Sequence, residues 1–281
     1  MIQVSIQELL QSKQRTIIMG IVNVTPDSFS DGGVYFEPEN AIRHALELAH
    51  EGADILDFGA ESTRPGAKAV SPDEQLRRLQ PVIREVRKTV DVPISIDTTS
   101  ARVAADLIDD GADVINDISG MQFDPDMAEV ASQKGCPVVI MHIQGTPRTM
   151  QKDPTYKDVI SDIYQYFQER IQYATGRGIS EQNIILDPGI GFGKTIEHNY
   201  RIIRELNEFS TLNKPLLIGA SRKSFIGKTL DVGMDERVEG SLAVAAISIM
   251  NGARILRVHD VQATVRVALM VDAILQVQET D

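Results

Sequence analysis

The residues of this chain best suited to chemistry are two carboxylates, two amides and three basic side chains, each at or just after the end of a short apolar run. In chain order they are Asn23, Asp97, Asn116, Asp187, Lys223, Arg257 and His259. An Asp or Asn in such a position commonly caps a helix or ends a strand. Capping does not explain the basic residues, and two carboxylates facing one mouth repel each other unless a ligand donates hydrogen bonds to them. The set therefore predicts a binding site for a polar ligand.

The overall charge restricts the kinds of partner this chain can have. Its 281 residues carry a formal net charge of −12, which argues against nucleic acid and anionic membranes, since both favour a basic face. No run approaches the roughly 18 apolar residues of a membrane span, and residues 1–15 lack the pattern of a secretion signal. The single cysteine, Cys136, excludes an internal disulfide. We expect a cytoplasmic protein that binds small molecules, with a local basic cluster for any anionic ligand.

An alternation of short and long segments predicts the elements that hold these residues. Short apolar runs alternate with longer amphipathic stretches, which is typical of parallel strands joined by crossover helices. The eight predicted strands are Ile17–Asn23, Asp54–Gly59, Pro93–Asp97, Asp113–Asp117, Pro137–His142, Asn183–Asp187, Pro215–Gly219 and Arg254–His259. The predicted helices are Glu39–Glu51, Ser71–Val90, Ser100–Asp110, Asp124–Lys134, Tyr156–Gly176, Ile196–Phe209, Glu236–Asn251 and Val261–Val277.

These strand–helix units, of roughly 35 residues each, match the number and length of a (β/α)8 TIM barrel. We predict a single α/β domain over residues 1–281, with its active site at the C-terminal ends of the strands. The alternative is a doubly wound open sheet, which usually has about five to seven strands and a Gly-rich first turn that this chain lacks. Gly52, Gly111 and Gly252 each end a predicted helix just before a strand, where glycine suits a left-handed C-cap.

The loop after the sixth predicted strand has the glycines of a nucleotide-binding loop without their spacing. In DPGIGFGK, residues 187–194, Pro188 stands where the Walker pattern needs Gly, and Lys194 stands where GxGxxG needs its third Gly. We expect these glycines instead to bring the backbone close to a flat ligand, with Phe192 packing against it.

Seven motifs extend in order over almost the whole chain and resemble those of the dihydropteroate synthase family. They are NVTPDSFSDGG, ESTRPGA, SIDT, INDISG, DPGIGFGK, GASRKSF and RVHDV. The resemblance implies a transferase of folate biosynthesis that condenses 6-hydroxymethyl-7,8-dihydropterin diphosphate with p-aminobenzoate, giving dihydropteroate and diphosphate. It also implies Mg²⁺ as cofactor, sulfonamides as competing ligands, and a homodimer. We expect the dimer to form through late outer helices such as the segment 240–251.

The resemblance also assigns residues to each substrate. It places the pterin against Asp97, Asn116, Met141, Asp187, Phe192 and Lys223. It places the diphosphate against Asn23, Thr63, Arg64, Arg257 and His259, with Mg²⁺ on Asn23. It places p-aminobenzoate against Phe29, Thr63, Arg64, Pro65, Phe192 and Ser224.

The catalytic residues expected from this reaction are Asp97, Asp31 and Lys223. Diphosphate leaves a methylene conjugated to an electron-rich pterin, which favours an SN1-like path through a delocalised cation. Asp97 and Asp31 would stabilise that cation, although a concerted displacement would use the same residues. We expect the loop at 23–33 and the STRPG loop to close over the site, with Phe29 packing on the p-aminobenzoate ring.

Three other functions compete with this interpretation. A pterin-binding methyltransferase acting on a corrinoid would share the Asp and Asn pocket but has no evident use for SRKSF and RVH. A Schiff-base aldolase would use Lys223 as nucleophile, but no motif for a carbonyl substrate accompanies it. A non-catalytic paralogue would have lost a loop or site residue, and none is lost here.

Overall fold

Eight parallel strands form the inner wall of the molecule. The computed structural model describes residues 6–12, 15–25, 38–62, 66 and 69–277. The strands are β1 (Ile17–Asn23), β2 (Ile55–Gly59), β3 (Ile94–Asp97), β4 (Val114–Asp117), β5 (Val138–Met141), β6 (Ile184–Asp187), β7 (Leu217–Ile218) and β8 (Ile255–Val258). They pair in the order β6-β5-β4-β3-β2-β1-β8-β7, and a parallel bridge between Leu186 and Leu216 brings β6 and β7 together. The predicted TIM barrel is confirmed.

Helices surround this wall. Those that the structure describes are α1 (Ile6–Gln11), α2 (Pro38–His50), α3 (Pro72–Arg87), α4 (Ala101–Asp109), α5 (Met127–Lys134), α6 (Val159–Gly176), α7 (Ile196–Arg204), α8 (Ser224–Leu230), α9 (Val238–Met250) and α10 (Val261–Leu275). The sequence did not predict α1 or α8, because segments of six or seven residues show too little of the helical period. Among the described helices, none combines the length and the apolar character needed to cross a bilayer.

The junctions that lead from helix to strand have the backbone that their glycines predict. Gly52, Gly111 and Gly252 have φ values of 102°, 108° and 98°, which glycine adopts more readily than other residues. The aspartates of the first two junctions also tie adjacent strands together: Asp54 accepts the Ile18 N–H at 2.9 Å, and Asp113 accepts the Ile94 N–H at 2.8 Å. These contacts lie at the end of the barrel opposite the predicted site.

The barrel interior is built in layers, because alternate residues of a strand point to the same side. One layer is apolar, and the side chain of Ile6 from α1 packs against it. Its members are Ile17, Met19, Ile55, Val114, Val139, Ile185, Leu217 and Ile255. Two residues further along five of these strands, the same inward face carries polar or polarizable groups. These are Asp57, Asn116, Met141, Asp187 and Arg257. The apolar layer is thus the floor of a polar pocket at the C-terminal mouth.

Candidate active site

Arg257 is the centre of an ion-pair network at this mouth. Its Nε donates to Asp57 Oδ2 at 2.6 Å, and its Nη2 donates to Asp97 Oδ2 at 2.8 Å. Asn116 Nδ2 also donates to Asp57, at 3.2 Å from Oδ2. The contacts join β2, β3, β4 and β8, so that one guanidinium holds two carboxylates and one of these carboxylates orients the Asn116 amide.

Burial controls the protonation of Asp97. Desolvation is the largest influence and raises the pKa of this carboxyl to about 7, Arg257 opposes the rise, and Asp57, Asp117 and Glu61 add to it. Burial lowers the pKa of Arg257, but the attraction of Asp57 and Asp97 outweighs it and raises that pKa overall. The pocket therefore holds a permanent cation beside a carboxyl group that changes charge near neutral pH.

Asp57 is a site residue that sequence reasoning missed. It is fully buried, and it lies between Leu56 and Phe58 in an otherwise apolar strand. The available signal was its position two residues after the inward-facing Ile55, which places Asp57 on the same inward side. A buried carboxylate requires partners, and Arg257 is one of them.

Asp187 and Lys223 are oppositely charged groups that influence each other at the mouth without a direct ion pair. Asp187 ends β6 and accepts the Gly189 N–H at 2.7 Å. Burial raises the pKa of Asp187, against the opposing charge of Lys223, and burial lowers the pKa of Lys223 to about 8, against the attraction of Asp187. Lys223 Nζ also donates to the Ile190 carbonyl and lies 4.5 Å from the centroid of the Phe192 ring. The lysine thus packs against the loop that follows β6.

The glycines of that loop approach protein atoms closely. Gly189, Gly191 and Gly193 have φ values of 69°, 81° and 63°. A Cβ at Gly189 would lie 2.0 Å from the His142 carbonyl oxygen, and one at Gly191 would lie 3.1 Å from Lys223 Cδ. Packing of the loop against these neighbours is by itself a reason for glycine at these positions. The predicted close approach of the glycines to a flat ligand therefore stays a prediction.

Asn23 and His259 lie at the ends of β1 and β8, next to the ion-pair network. Asn23 is in register with Gly59, which is in register with Asp97 on the following strand. His259 Nδ1 lies 3.0 Å from Ser221 Oγ, so a side chain from the loop after β7 orients its imidazole. Their assignment to diphosphate is compatible with this placement and stays a prediction.

Met141 and Phe192 take part in one apolar cluster at the site, and their shared assignment to the pterin stays a prediction. Met141 is buried in a small apolar cluster with Ile118, Ile143 and Met150, and the half-buried Phe192 packs on that cluster. Ser224 is exposed at the first position of α8, directly after Lys223. It therefore borders the site from the outside.

Five residues predicted for the site lie outside the described part of the chain. They are Phe29, Asp31, Thr63, Arg64 and Pro65. Their roles in closing the site, in stabilising the cation and in binding p-aminobenzoate stay predictions.

The described residues offer few protein ligands for a metal ion. Within those residues, no three His, Cys, Asp or Glu side chains are grouped so that they could hold a metal ion. Asn23 offers one amide oxygen beside the network. Mg²⁺ commonly keeps several waters and binds through one or two protein oxygens together with substrate phosphates, and a site of one protein oxygen is compatible with that behaviour.

Taken together, the described side chains form a pocket with two different capacities. Asp97 and Asp187 can accept hydrogen bonds from a flat heterocycle, while Asn116 and Lys223 can donate to it. Arg257 can bind an anion, but that anion must compete with Asp57 and Asp97 for the guanidinium. The geometry therefore suits a ligand with a heterocyclic end and an anionic end.

Comparison with known protein families and sequences places this chain among pterin-binding proteins. Residues 19–259 match the family described as "Pterin binding enzyme". Dihydropteroate synthase of Escherichia coli (strain K12) is 47% identical over 262 residues, which cover 93% of this chain and 93% of that protein.

Solved structures show the same similarity. Yersinia pestis dihydropteroate synthase in a sulfonamide drug complex matches with a TM-score of 0.89 and 44% identity, over 94% of this chain and 95% of that chain. Xanthomonas albilineans dihydropteroate synthase with 4-aminobenzoic acid matches with a TM-score of 0.89 and 41% identity, over 94% of both chains.

Proposed function

This chain belongs to the dihydropteroate synthase family of pterin-binding enzymes, and on that premise we propose that it condenses 6-hydroxymethyl-7,8-dihydropterin diphosphate with p-aminobenzoate. The products are 7,8-dihydropteroate and diphosphate, so the enzyme is a transferase of a pterinylmethyl group. The family resemblance found in the seven motifs is thereby confirmed. The observation that carries the function is the convergence of Asp97, Asn116, Asp187 and Lys223 at the C-terminal mouth of one barrel.

The pterin end of the substrate matches the deep part of this pocket. Its amino-pyrimidine edge presents paired N–H donors, for which a carboxylate is the complementary acceptor. We assign Asp187 to that edge, because its backbone is fixed by β6 and its Oδ1 by Gly189. Lys223 then donates to the ring carbonyl or N5, while Met141 and Phe192 bound the ring faces.

The diphosphate end requires local positive charge in a chain whose net charge is −12. We assign it to Arg257 and His259, and Asn23 would hold Mg²⁺ at this end of the site. The ion would supply charge neutralisation at the leaving group. Arg257 begins bound to Asp57 and Asp97, so its transfer toward the phosphate leaves negative charge near the reacting carbon.

Negative charge near the reacting carbon favours a path in which a pterin cation forms. The bond between the exocyclic methylene and the diphosphate oxygen breaks, and its electron pair leaves with diphosphate. The pterin cation that results is stabilised by the ionised Asp97, and Asp31 is assigned the same role. The amine of p-aminobenzoate then forms the new C–N bond and loses a proton to solvent. We propose this SN1-like order, in which bond breaking comes first.

We assign p-aminobenzoate to the outer part of the site, beside Phe192 and Ser224. Phe29, Thr63, Arg64 and Pro65 complete this assignment. A sulfonamide carries an aromatic amine like that of p-aminobenzoate, and we propose that sulfonamides compete for the same place. The sulfonamide complex of the Yersinia pestis protein supports this proposal.

The organisation of the molecule forms part of the same proposal. We infer a single pterin-binding domain, because one barrel holds all the described strands. A cytoplasmic location suits a chain whose only cysteine is a buried thiol. A homodimer is proposed through α9 and α10, neighbouring helices that expose Ile247, Met250, Met270 and Ile274.

The test is diphosphate release by the purified protein, given dihydropterin diphosphate and Mg²⁺, with and without p-aminobenzoate. We expect release coupled to formation of dihydropteroate. Arg257→Ala should raise the pterin diphosphate concentration needed for half-maximal rate. Tight pterin binding with neither release nor product would overturn the synthase assignment and direct attention to methyl transfer or a binding protein.

A further inference from the structure

We propose that Lys194 is a positioning residue whose buried amino group fixes the loop from 188 to 195 and thereby holds Phe192 in place as a wall of the substrate pocket. This inference rests on the proposed function. It concerns a lysine that touches no part of the ion-pair network described above and that the reaction itself does not use.

The contacts of Lys194 connect two loops at the mouth of the barrel. Its Nζ lies 3.0 Å from His142 Nδ1, directly after β5, and donates to the Phe192 carbonyl at 3.0 Å. The His142 carbonyl oxygen is 3.4 Å away. Lys194 and His142 are only 3% and 7% exposed, so this connection is shielded from water.

The loop backbone depends on side-chain donors. Four successive carbonyls, from Ile190 to Gly193, each accept a hydrogen bond from a side chain. The donors are, in order, Lys223, Gln151, Lys194 and Tyr156. Among these four, Lys194 alone also bonds to His142, so it sets the position of the loop relative to β5. Because its acceptor in the loop is the carbonyl of Phe192, it acts directly on the residue whose ring borders the pocket.

Packing alone does not explain a lysine in this position. A methionine would fill similar volume without the penalty of desolvating an amino group. Burial lowers the pKa of Lys194 well below its usual value, and the nearby Lys223 contributes to the same shift. Burial therefore destabilises the charged form of the lysine. Its three polar contacts are the feature that a methionine could not provide.

The test compares Lys194→Met with Lys214→Met. Both variants remove the amino group of a nearly buried lysine, since the Lys214 side chain is 9% exposed and pairs with Glu181 at 3.0 Å. Lys214 precedes β7, at the opposite end of the barrel. We measure kcat and KM for p-aminobenzoate, and the ¹⁵N chemical shifts of the His142 ring.

For Lys194→Met we expect the KM for p-aminobenzoate to rise on the order of tenfold, with a much smaller change in kcat, because a buried acceptor loses its donor. The His142 Nδ1 shift should move as well. Lys214→Met should leave the KM and the shift unchanged. Should Lys194→Met fail to fold, Lys194→Ala with added propylamine replaces it, and the amine should lower the KM again.

The two ways of failing are distinct. A wild-type protein that forms no dihydropteroate would contradict the proposed function itself. A wild-type protein that turns over, with a Lys194→Met variant whose KM and His142 shift are unchanged, would overturn the role of Lys194 alone. Loss of kcat in proportion to loss of folded protein, at constant KM, would do the same.

Discussion

Asp97 is the residue whose charge decides when the pocket can act. Its pKa is raised to about 7, chiefly by burial, whereas the proposed role requires the ionised carboxylate. We therefore expect kcat/KM to fall as the pH is lowered through about 7, since kcat/KM reports the ionisation of the free enzyme. Asp97→Asn should be nearly inactive, and its residual activity should lack this acid limb. The range from about pH 5.5 to about pH 8 extends roughly one unit or more on either side of that pKa. A wild-type kcat/KM that stays constant over this range would contradict the assignment.

Asp57 matters for the stability of the pocket. Asp57→Ala leaves the Arg257 Nε and the Asn116 amide without their buried acceptor, although Arg257 keeps its contact with Asp97. Removing one partner of a buried ion pair lowers the free energy of unfolding by roughly 3–5 kcal/mol. The matched control is Asp73→Ala, which removes an exposed carboxylate paired with Arg102 at 2.8 Å and should change that free energy by less than about 1 kcal/mol. Urea unfolding at neutral pH measures both. Equal effects would show that the Arg257 network adds no stability.

At the scale of elements, the loop after β6 depends on Gly189. Gly189→Ala places a Cβ 2.0 Å from the His142 carbonyl oxygen at a φ of 69°, so the loop must shift away from β5. Gly135→Ala is the matched control, because its φ of 63° is similar and nothing lies within 4 Å of the added Cβ. We expect both to cost about 1–2 kcal/mol for the left-handed backbone, and only Gly189→Ala to raise the KM for pterin diphosphate strongly. Equal KM values in the two variants would contradict this.

The elements themselves were largely predictable from the sequence. Strands buried on both faces read as continuous apolar runs, and β1 begins and ends at the predicted residues. The strand predicted at 215–219 is reduced to Leu217–Ile218, since apolar content does not reveal which residues find a pairing partner. The burial of the Lys194 side chain was not predictable either, because one of its partners, His142, belongs to a different loop.

At the scale of the whole molecule, the exposed apolar side chains of α9 and α10 predict the dimer. Met250 and Met270 are both more than half exposed, and monomeric proteins rarely leave large apolar patches in water. We expect Met250→Asp combined with Met270→Asp to convert a dimer into a monomer in sedimentation equilibrium. Phe123→Asp, which changes an exposed aromatic residue before α5, is the control and should leave the mass unchanged. A wild-type protein that sediments as a monomer would refute the proposed interface.

The short β7 has a consequence for the motions of the barrel. Among the described residues, β6 and β7 meet through the Leu186–Leu216 bridge, with the Leu186 N–H donating to Pro215 at 2.9 Å. This short β6–β7 seam should open more often than the longer pairings between the other strands. The backbone amides at the seam should therefore exchange with deuterium sooner. Asp187 ends β6 and Lys223 follows β7, so a pterin bound to both residues should hold these two strands together. Adding pterin diphosphate should slow exchange at Leu186 more than at Ile96 in β3, and equal slowing at the two amides would show that the ligand does not close the seam.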